Sequence, residues 1–163
     1  MNVFFKEEQR FSQWWLWLII IGLGNIPVFG IYKQFVLGEA FGNNPMSDVG
    51  LMLFSAFIFG IIVLFWLMRL KTEINNDGVR VSFFPFVKKH FLWTDIKSAR
   101  VIKYRFLGYG IRIGMTHGIV YNMKGNKGLS LELFNKKKYL IGTQKEEELQ
   151  SVLDKLRNSN IIG

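Results

Sequence analysis

The sequence predicts a membrane α-helical hairpin followed by a mainly β domain of the α+β class, with about seven antiparallel strands and one C-terminal helix. Three observations predict this fold. Two uncharged apolar runs occupy residues 14–32 and 49–68. After the second run, apolar and polar residues alternate, which is typical of strands with one buried face. The last segment carries an apolar stripe at helical spacing.

The two apolar runs are each long enough to cross a bilayer. At about 1.5 Å of rise per residue, each run spans roughly 30 Å, the thickness of a hydrocarbon core. We expect helices at about 14–36 and 49–69, so that residues 13–70 form a transmembrane hairpin. A cleaved signal peptide would explain only one of the two runs. Residues 1–12 are then a cytoplasmic N-terminal segment, and residues 71–163 are the soluble domain.

Flanking charges and aromatic residues predict the orientation of the hairpin. Residues 69–163 carry 18 of the 21 Lys and Arg residues, whereas residues 1–68 have a net charge of −1. The positive-inside rule therefore places both termini in the cytoplasm. Trp14, Trp15 and Trp17 begin the first helix and Trp66 ends the second, so we expect all four at one membrane interface.

Two polar residues lie near the middle of the predicted helices. Asn25 is about 11 residues into the first run, roughly 16 Å deep, and Ser55 lies at a similar depth in the second. An amide in lipid needs a partner, so we expect the two to face each other. Ala56 and Gly60 form a small-xxx-small face, which suits close packing within the hairpin or between chains. Pro27 removes one backbone hydrogen bond and should kink the first helix, and a broken helix would favour a small oligomeric transporter or channel as the alternative function.

Alternation along the soluble domain predicts its strands. Asn75-Asn76-Asp77-Gly78 is a hairpin turn, because Asp-Gly accepts positive φ, and Val79, Val81 and Phe83 alternate after it. Further strands are predicted at His90 to Trp93, Ile96 to Tyr104, Ile111 to Met115, Ile119 to Met123, Leu129 to Leu133 and Tyr139 to Gly142.

One helix is predicted at about 144–158. Thr143-x-x-Glu146 has the spacing of a capping box, in which each side chain accepts a hydrogen bond from a free backbone N–H of the other residue. The apolar stripe consists of Leu149, Val152, Leu153 and Leu156. This stripe should cover the open end of a small sheet structure.

Three short segments resemble the bacterial pleckstrin-homology-like (PH-like) domains often found beside membrane helices. They are Trp93-Thr94-Asp95-Ile96, Gly108-Tyr109-Gly110-Ile111-Arg112, and Gly142-Thr143 running into a Glu- and Leu-rich helix; the similarity covers roughly residues 70–157. The resemblance implies a PH-like barrel capped by the C-terminal helix, a membrane setting and no catalytic residues. The loop Asn75 to Gly78 lacks the basic residues of eukaryotic phosphoinositide-binding domains.

The residue inventory argues against several kinds of chemistry. The chain has no cysteine, which excludes a disulfide framework, a thiolate metal site and a cysteine nucleophile. His90 and His117 have no neighbours at metal-ligand spacing. Neither a carboxylate pair nor a nucleophile with a base can be proposed. We therefore expect no enzyme, no metal and no cofactor. Aromatic and basic residues do not interleave as in nucleic-acid-binding modules, so we expect no nucleic acid partner.

Basic residues near strand ends and turns are the remaining functional feature. They form either a solvated face or a surface for anionic headgroups, to which each side chain contributes about 1 kcal/mol. We expect a membrane-anchored PH-like binding or scaffolding module at the cytoplasmic face of the cell (inner) membrane, in contact with lipid, a partner protein or its own copies. The candidate contact residues are Lys88, Lys89, Lys103, Arg105, Arg112, Lys136, Lys137 and Lys138.

Overall fold

The computed structural model describes residues 3–105, 108–114 and 116–159. The chain divides into two compact units. Ser12–Leu67 form a helical unit, and Met1–Phe11 together with Met68–Gly163 form a sheet unit. Met115, predicted to end a strand, lies outside the described residues.

The helical unit contains the two predicted helices. Helix α1 covers Trp14–Ile31 and continues into a π-helical segment at Tyr32–Val36. Helix α2 covers Asp48–Leu67. Both helices are long and apolar enough to span a membrane. The bounds of the predicted helices are thus confirmed to within one or two residues.

Glycines of α1 bring the two helices together. A Cβ atom added at Gly24 would lie 2.9 Å from Ile62 Cδ1, and one added at Gly30 would lie 3.1 Å from Leu51 Cδ1. These pairs show that the helices run antiparallel. Ala56 and Gly60 are exposed, so the predicted small-xxx-small face does not pack within the hairpin, and packing between chains stays a prediction. At the close contact the small residues therefore belong to α1, and the larger side chains of α2, Ile62 and Leu51, fill the space beside them.

The first sheet, sheet A, contains a strand that the sequence did not predict. Its strands are β1 (Val3–Arg10), β2 (Arg69–Asn75), β3 (Gly78–Phe84) and β4 (Val87–Leu92), antiparallel in this order. Residues 1–12 are thus not a separate segment, because most of them pair with β2. Their pattern hides the strand, since Glu7 and Gln9 are polar yet buried.

The second sheet, sheet B, contains β5 (Ile96–Lys103), β6 (Gly110–Gly114), β7 (Gly118–Asn122), β8 (Lys127–Leu133) and β9 (Lys138–Gly142). Their order is β5-β8-β9-β7-β6, and β7 runs parallel to β9. Among the described residues no strand of one sheet pairs with a strand of the other, so there is no closed barrel. The α+β class is confirmed; the prediction of about seven, all antiparallel, strands is wrong.

The core of the sheet unit lies between the two sheets. The ring centroids of Phe91 and Tyr139 are 4.6 Å apart, and those of Phe83 and Tyr121 are 6.4 Å apart. Helix α3 (Glu146–Asn158) buries its predicted stripe, and its Arg157 Nη2 donates a hydrogen bond of 2.7 Å to the Ala99 carbonyl of β5. The predicted C-terminal helix and its apolar face are confirmed.

The predicted capping box is absent from the start of α3. Thr143 Oγ1 accepts a hydrogen bond of 3.0 Å from the Lys145 backbone N–H and donates one of 2.6 Å to Glu7 Oε2. Glu146 forms an ion pair with Lys127 of β8. The two residues of the motif are therefore used by strands that lie far away in the sequence, a competition that local spacing cannot reveal.

Candidate functional site

Sheet A carries a polar face opposite to the core, which we call the outer face. Directly opposed residues of antiparallel strands share one face of a sheet, so the register defines its members. It consists of three rows across the strands, which are Lys6-Glu73-Arg80-His90, Glu8-Lys71-Ser82-Lys88 and Arg10-Arg69-Phe84.

The outer face is strongly basic. It holds six Lys and Arg side chains and two Glu side chains, a net charge of +4. Glu8 Oε1 accepts a hydrogen bond of 3.1 Å from Arg10 Nη2 and lies 3.8 Å from Arg69 Nη1, while Glu8 Oε2 lies 3.7 Å from Lys71 Nζ. The hydrogen bond from Arg10, followed by the charge of Lys71, holds the pKa of Glu8 below its ordinary value of 4.5. The carboxylate of Glu8 thus interacts with three cations, so the outer face keeps an excess of positive charge.

A shallow depression lies on the outer face at β2, β3 and β4. Its volume is about 330 Å³. Ammonium, guanidinium and hydroxyl donors around one depression suit a group with several anionic oxygens, such as a phosphate. The lining residues are Lys71, Glu73, Arg80, Val81, Ser82, Lys88, Lys89 and His90.

The structure separates the basic residues that the sequence singled out. Lys88 lies on the outer face, whereas the adjacent Lys89 is opposite buried Val81 and belongs to the other face, at the sheet edge. The others lie on or beside sheet B. Lys103 ends β5 and Arg105 follows it, Arg112 lies in β6, and Lys136, Lys137 and Lys138 lie at the turn from β8 to β9.

Several outer-face cations were missed from the sequence. Lys6 and Arg10 belong to the unpredicted strand, and Arg69, Lys71 and Arg80 were not among the predicted contact residues. A period of two was present, since charged residues occupy every second position from Lys6 to Arg10. Charged residues at every second position indicate the solvent face of a strand. The residues between them, on the buried face of β1, include the polar Glu7 and Gln9, so no apolar alternation accompanies the charged one.

The four tryptophans lie at one end of the helix pair. Trp14, Trp15 and Trp17 are in the first turn of α1 and Trp66 is in the last turn of the antiparallel α2. Trp14 is 75% exposed and Trp66 is 64% exposed. This placement suits the predicted interfacial role, because exposed indoles concentrate where one end is apolar and the other is wet.

Asn25 and Ser55 do not form the predicted contact. Asn25 is exposed and its Nδ2 donates a hydrogen bond of 2.9 Å to the Ile21 carbonyl. Ser55 is buried and its Oγ donates one of 2.7 Å to the Leu51 carbonyl. Each side chain therefore satisfies its donor within its own helix, which is the local alternative that polar side chains find in helices.

A buried polar cluster ties β1 to the segment before α3. Glu7 is 6% exposed, and its Oε1 accepts a hydrogen bond of 2.7 Å from the Gln144 N–H in addition to the bond from Thr143. Gln9 Nε2 donates one of 2.7 Å to the Gly142 carbonyl. This cluster explains why a polar strand belongs to the sheet unit. Its carboxylate is fully engaged, so it serves structure rather than a surface ligand.

No protein-family model matches the chain, and no curated protein has significant similarity to it. Within the described part of the chain, no group of three or more His, Asp or Glu side chains is placed to hold a metal ion. The candidate functional site is the outer face of sheet A.

Proposed function

We propose that the protein is a membrane-anchored binding or scaffolding module whose sheet unit contacts anionic lipid headgroups. The carrying observation is the continuity between the outer face and the two apolar helices. Arg10 ends β1 four residues before α1 begins at Trp14, and Arg69 begins β2 two residues after α2 ends at Leu67. A basic face that begins this near to a lipid-spanning segment gains from the negative surface potential of the membrane.

The pairing of β1 with β2 supports a hairpin topology. These strands flank the two helices in the chain and share one sheet, from Val3 opposite Asn75 to Arg10 opposite Arg69. If both helices span the bilayer, the N-terminus of α1 and the C-terminus of α2 must then lie on the same side of it. The positive charge of the sheet unit favours the cytoplasmic side, with both termini there.

We further propose that the sheet unit is a PH-like domain. Two facing sheets followed by one helix that buries an apolar stripe support it.

Lipid selectivity of the full chain tests the proposal. The protein is reconstituted in vesicles of phosphatidylethanolamine with a minor fraction of spin-labelled phosphatidylglycerol or spin-labelled phosphatidylcholine. The triple variant Lys71→Gln, Arg80→Gln, Lys88→Gln should lose most of the preference for the anionic lipid, because each cation near the surface contributes about 1 kcal/mol.

The matched control removes the same charge elsewhere. Lys136→Gln, Lys137→Gln, Lys138→Gln changes three cations at the β8–β9 turn of sheet B. It should retain the preference, and added salt should weaken the preference of the wild type. Equal loss in both triple variants would show that only total charge matters and would refute a role for the outer face.

One observation keeps the alternative of an oligomeric transporter or channel. Asn25 carries an amide on the exposed side of α1, in the middle of an apolar helix. Polar groups at such positions often mark a contact with another chain or a polar path. Asn25→Leu should abolish ion or solute flux in reconstituted vesicles if this function is correct; unchanged flux, or none in the wild type, rejects it.

A further inference from the structure

The turn between β3 and β4 exposes aromatic residues at one end of sheet A. It consists of Phe84-Pro85-Phe86, and Phe86 is 56% exposed. The Phe86 N–H donates a hydrogen bond of 2.8 Å to the Phe83 carbonyl, which closes the turn. Pro85 is exposed as well, so the turn presents two adjacent apolar side chains, and such a tip gains free energy when it moves from water to an apolar environment.

The strand register relates this turn to the membrane helices through the covalent chain. Arg69 is directly opposite Phe84 on one side and Arg10 on the other, so all three lie at the same end of sheet A. Since a residue spans at most about 3.6 Å, Arg69 lies within about 7 Å of Leu67, and Arg10 within about 14 Å of Trp14. The turn therefore belongs to the end of the sheet from which the chain enters both apolar helices.

Two cations lie at or near this end of sheet A, one beside the Phe84 ring and one close to Phe86 in the chain. The Arg69 guanidinium lies 5.2 Å from the centroid of the Phe84 ring, a cation–π distance. Lys88, exposed, follows Phe86 by two residues. Apolar tips rimmed by long basic side chains match the layered bilayer surface, where rings reach the acyl boundary and cations stay at the phosphates.

We propose that the β3–β4 turn inserts into the interfacial layer of the same membrane, with Phe86 at the level of the upper acyl chains. The inference rests on the proposed membrane anchoring and adds a second point of attachment. The sheet unit would then be attached to the membrane at three points, which are the two chain connections to α1 and α2 and the inserted turn.

The opposite end of the same strands provides an internal control. The β2–β3 turn carries exposed Asn76 and Asp77, both polar. The seven residues of β3 separate the two turns by about 20 Å at about 3.4 Å per residue. A sheet held by its aromatic end therefore keeps Asn76 away from the acyl chains.

The cysteine-free chain allows the test in the full protein. Single cysteines are introduced by Phe86→Cys, Lys88→Cys, Asn76→Cys and, in the middle of α2, Phe57→Cys, all at exposed positions. Each is labelled with an environment-sensitive fluorophore after reconstitution in vesicles of phosphatidylethanolamine and phosphatidylglycerol. Nitroxide lipids with the spin at a shallow or a deep acyl position then quench the label according to its depth.

The proposal requires strong quenching at residue 86 by the shallow nitroxide, weaker quenching at residue 88 and little at residue 76. Residue 57 should be quenched best by the deep nitroxide, which reports the anchoring alone. Quenching at 57 with none at 86 and 88 would overturn insertion of the turn and leave the anchoring intact. No quenching at 57 would overturn both. If the Phe86 variant fails to fold, the comparison of 88 with 76 decides the same question.

Discussion

The buried carboxylate of Glu7 should hold the N-terminal strand in the sheet unit. Glu7→Ala removes two hydrogen bonds, from Thr143 Oγ1 at 2.6 Å and from the Gln144 N–H at 2.7 Å. Hydrogen bonds to a charged group contribute about 1.5–3 kcal/mol each, and the cost of burying the carboxylate offsets part of their sum. We expect a net loss of about 2–3 kcal/mol in the local stability of β1.

Amide hydrogen exchange of the full chain in detergent micelles measures this loss. Since 1.4 kcal/mol corresponds to a factor of ten, the amides of β1 should exchange about 30- to 150-fold faster in Glu7→Ala. The matched control is Glu8→Ala on the outer face, where the ion pairs are partly solvated. Such pairs contribute less than about 1 kcal/mol, so the control should change exchange less than about fivefold. Equal effects of the two variants would refute the structural role of Glu7.

Three further predictions concern separate parts of the chain. Burial raises the pKa of Tyr104 to about 12 and its hydroxyl has no hydrogen-bond partner within the described residues, so Tyr104→Phe should raise the melting temperature and remove a late tyrosinate component from an alkaline absorbance titration. The lowered pKa of Glu8 means that its contribution to stability is full above pH 4.5 and is lost as the pH falls through the lowered value; thermal scans should therefore show wild type losing stability relative to Glu8→Gln only in that acidic range. Gly30→Val, whose Cβ would lie 3.0 Å from Phe41 Cδ1 and 3.1 Å from Leu51 Cδ1, should lower the melting temperature of the helices by circular dichroism because it is crowded by two neighbours, whereas Gly22→Val, whose Cβ would meet no atom within 4 Å, should not.

Local patterns predicted most elements of the fold. The two helices follow from uncharged apolar runs, the hairpin at Asn75 to Gly78 from its turn residues, and α3 from its stripe, because each depends on neighbours within a few residues. The strand β1 and the role of Thr143 could not be predicted in this way. Both depend on Glu7, whose partners are more than a hundred residues away in the sequence.

The candidate site was predicted only in part. Lys88 was identified as a contact candidate, but its neighbours Lys71 and Arg80 join it only through the register of three strands. Lys136, Lys137 and Lys138 were predicted as contact residues because they form a contiguous basic group near a turn. Contiguity in sequence is a weak guide to a surface on a sheet, where residues that share a face come from different strands.

The split of sheet A around the two helices imposes an order on biosynthesis. β1 leaves the ribosome before β2 and remains without this partner until both helices have been made, since β2 follows α2. An apolar strand that has not yet met its pairing partner would be prone to aggregate. The buried Glu7 and Gln9 keep β1 hydrophilic on both faces during that interval. If both helices cross a membrane, sheet A can be completed only when the hairpin has returned the chain to the side on which β1 lies, because β1 and β2 pair directly.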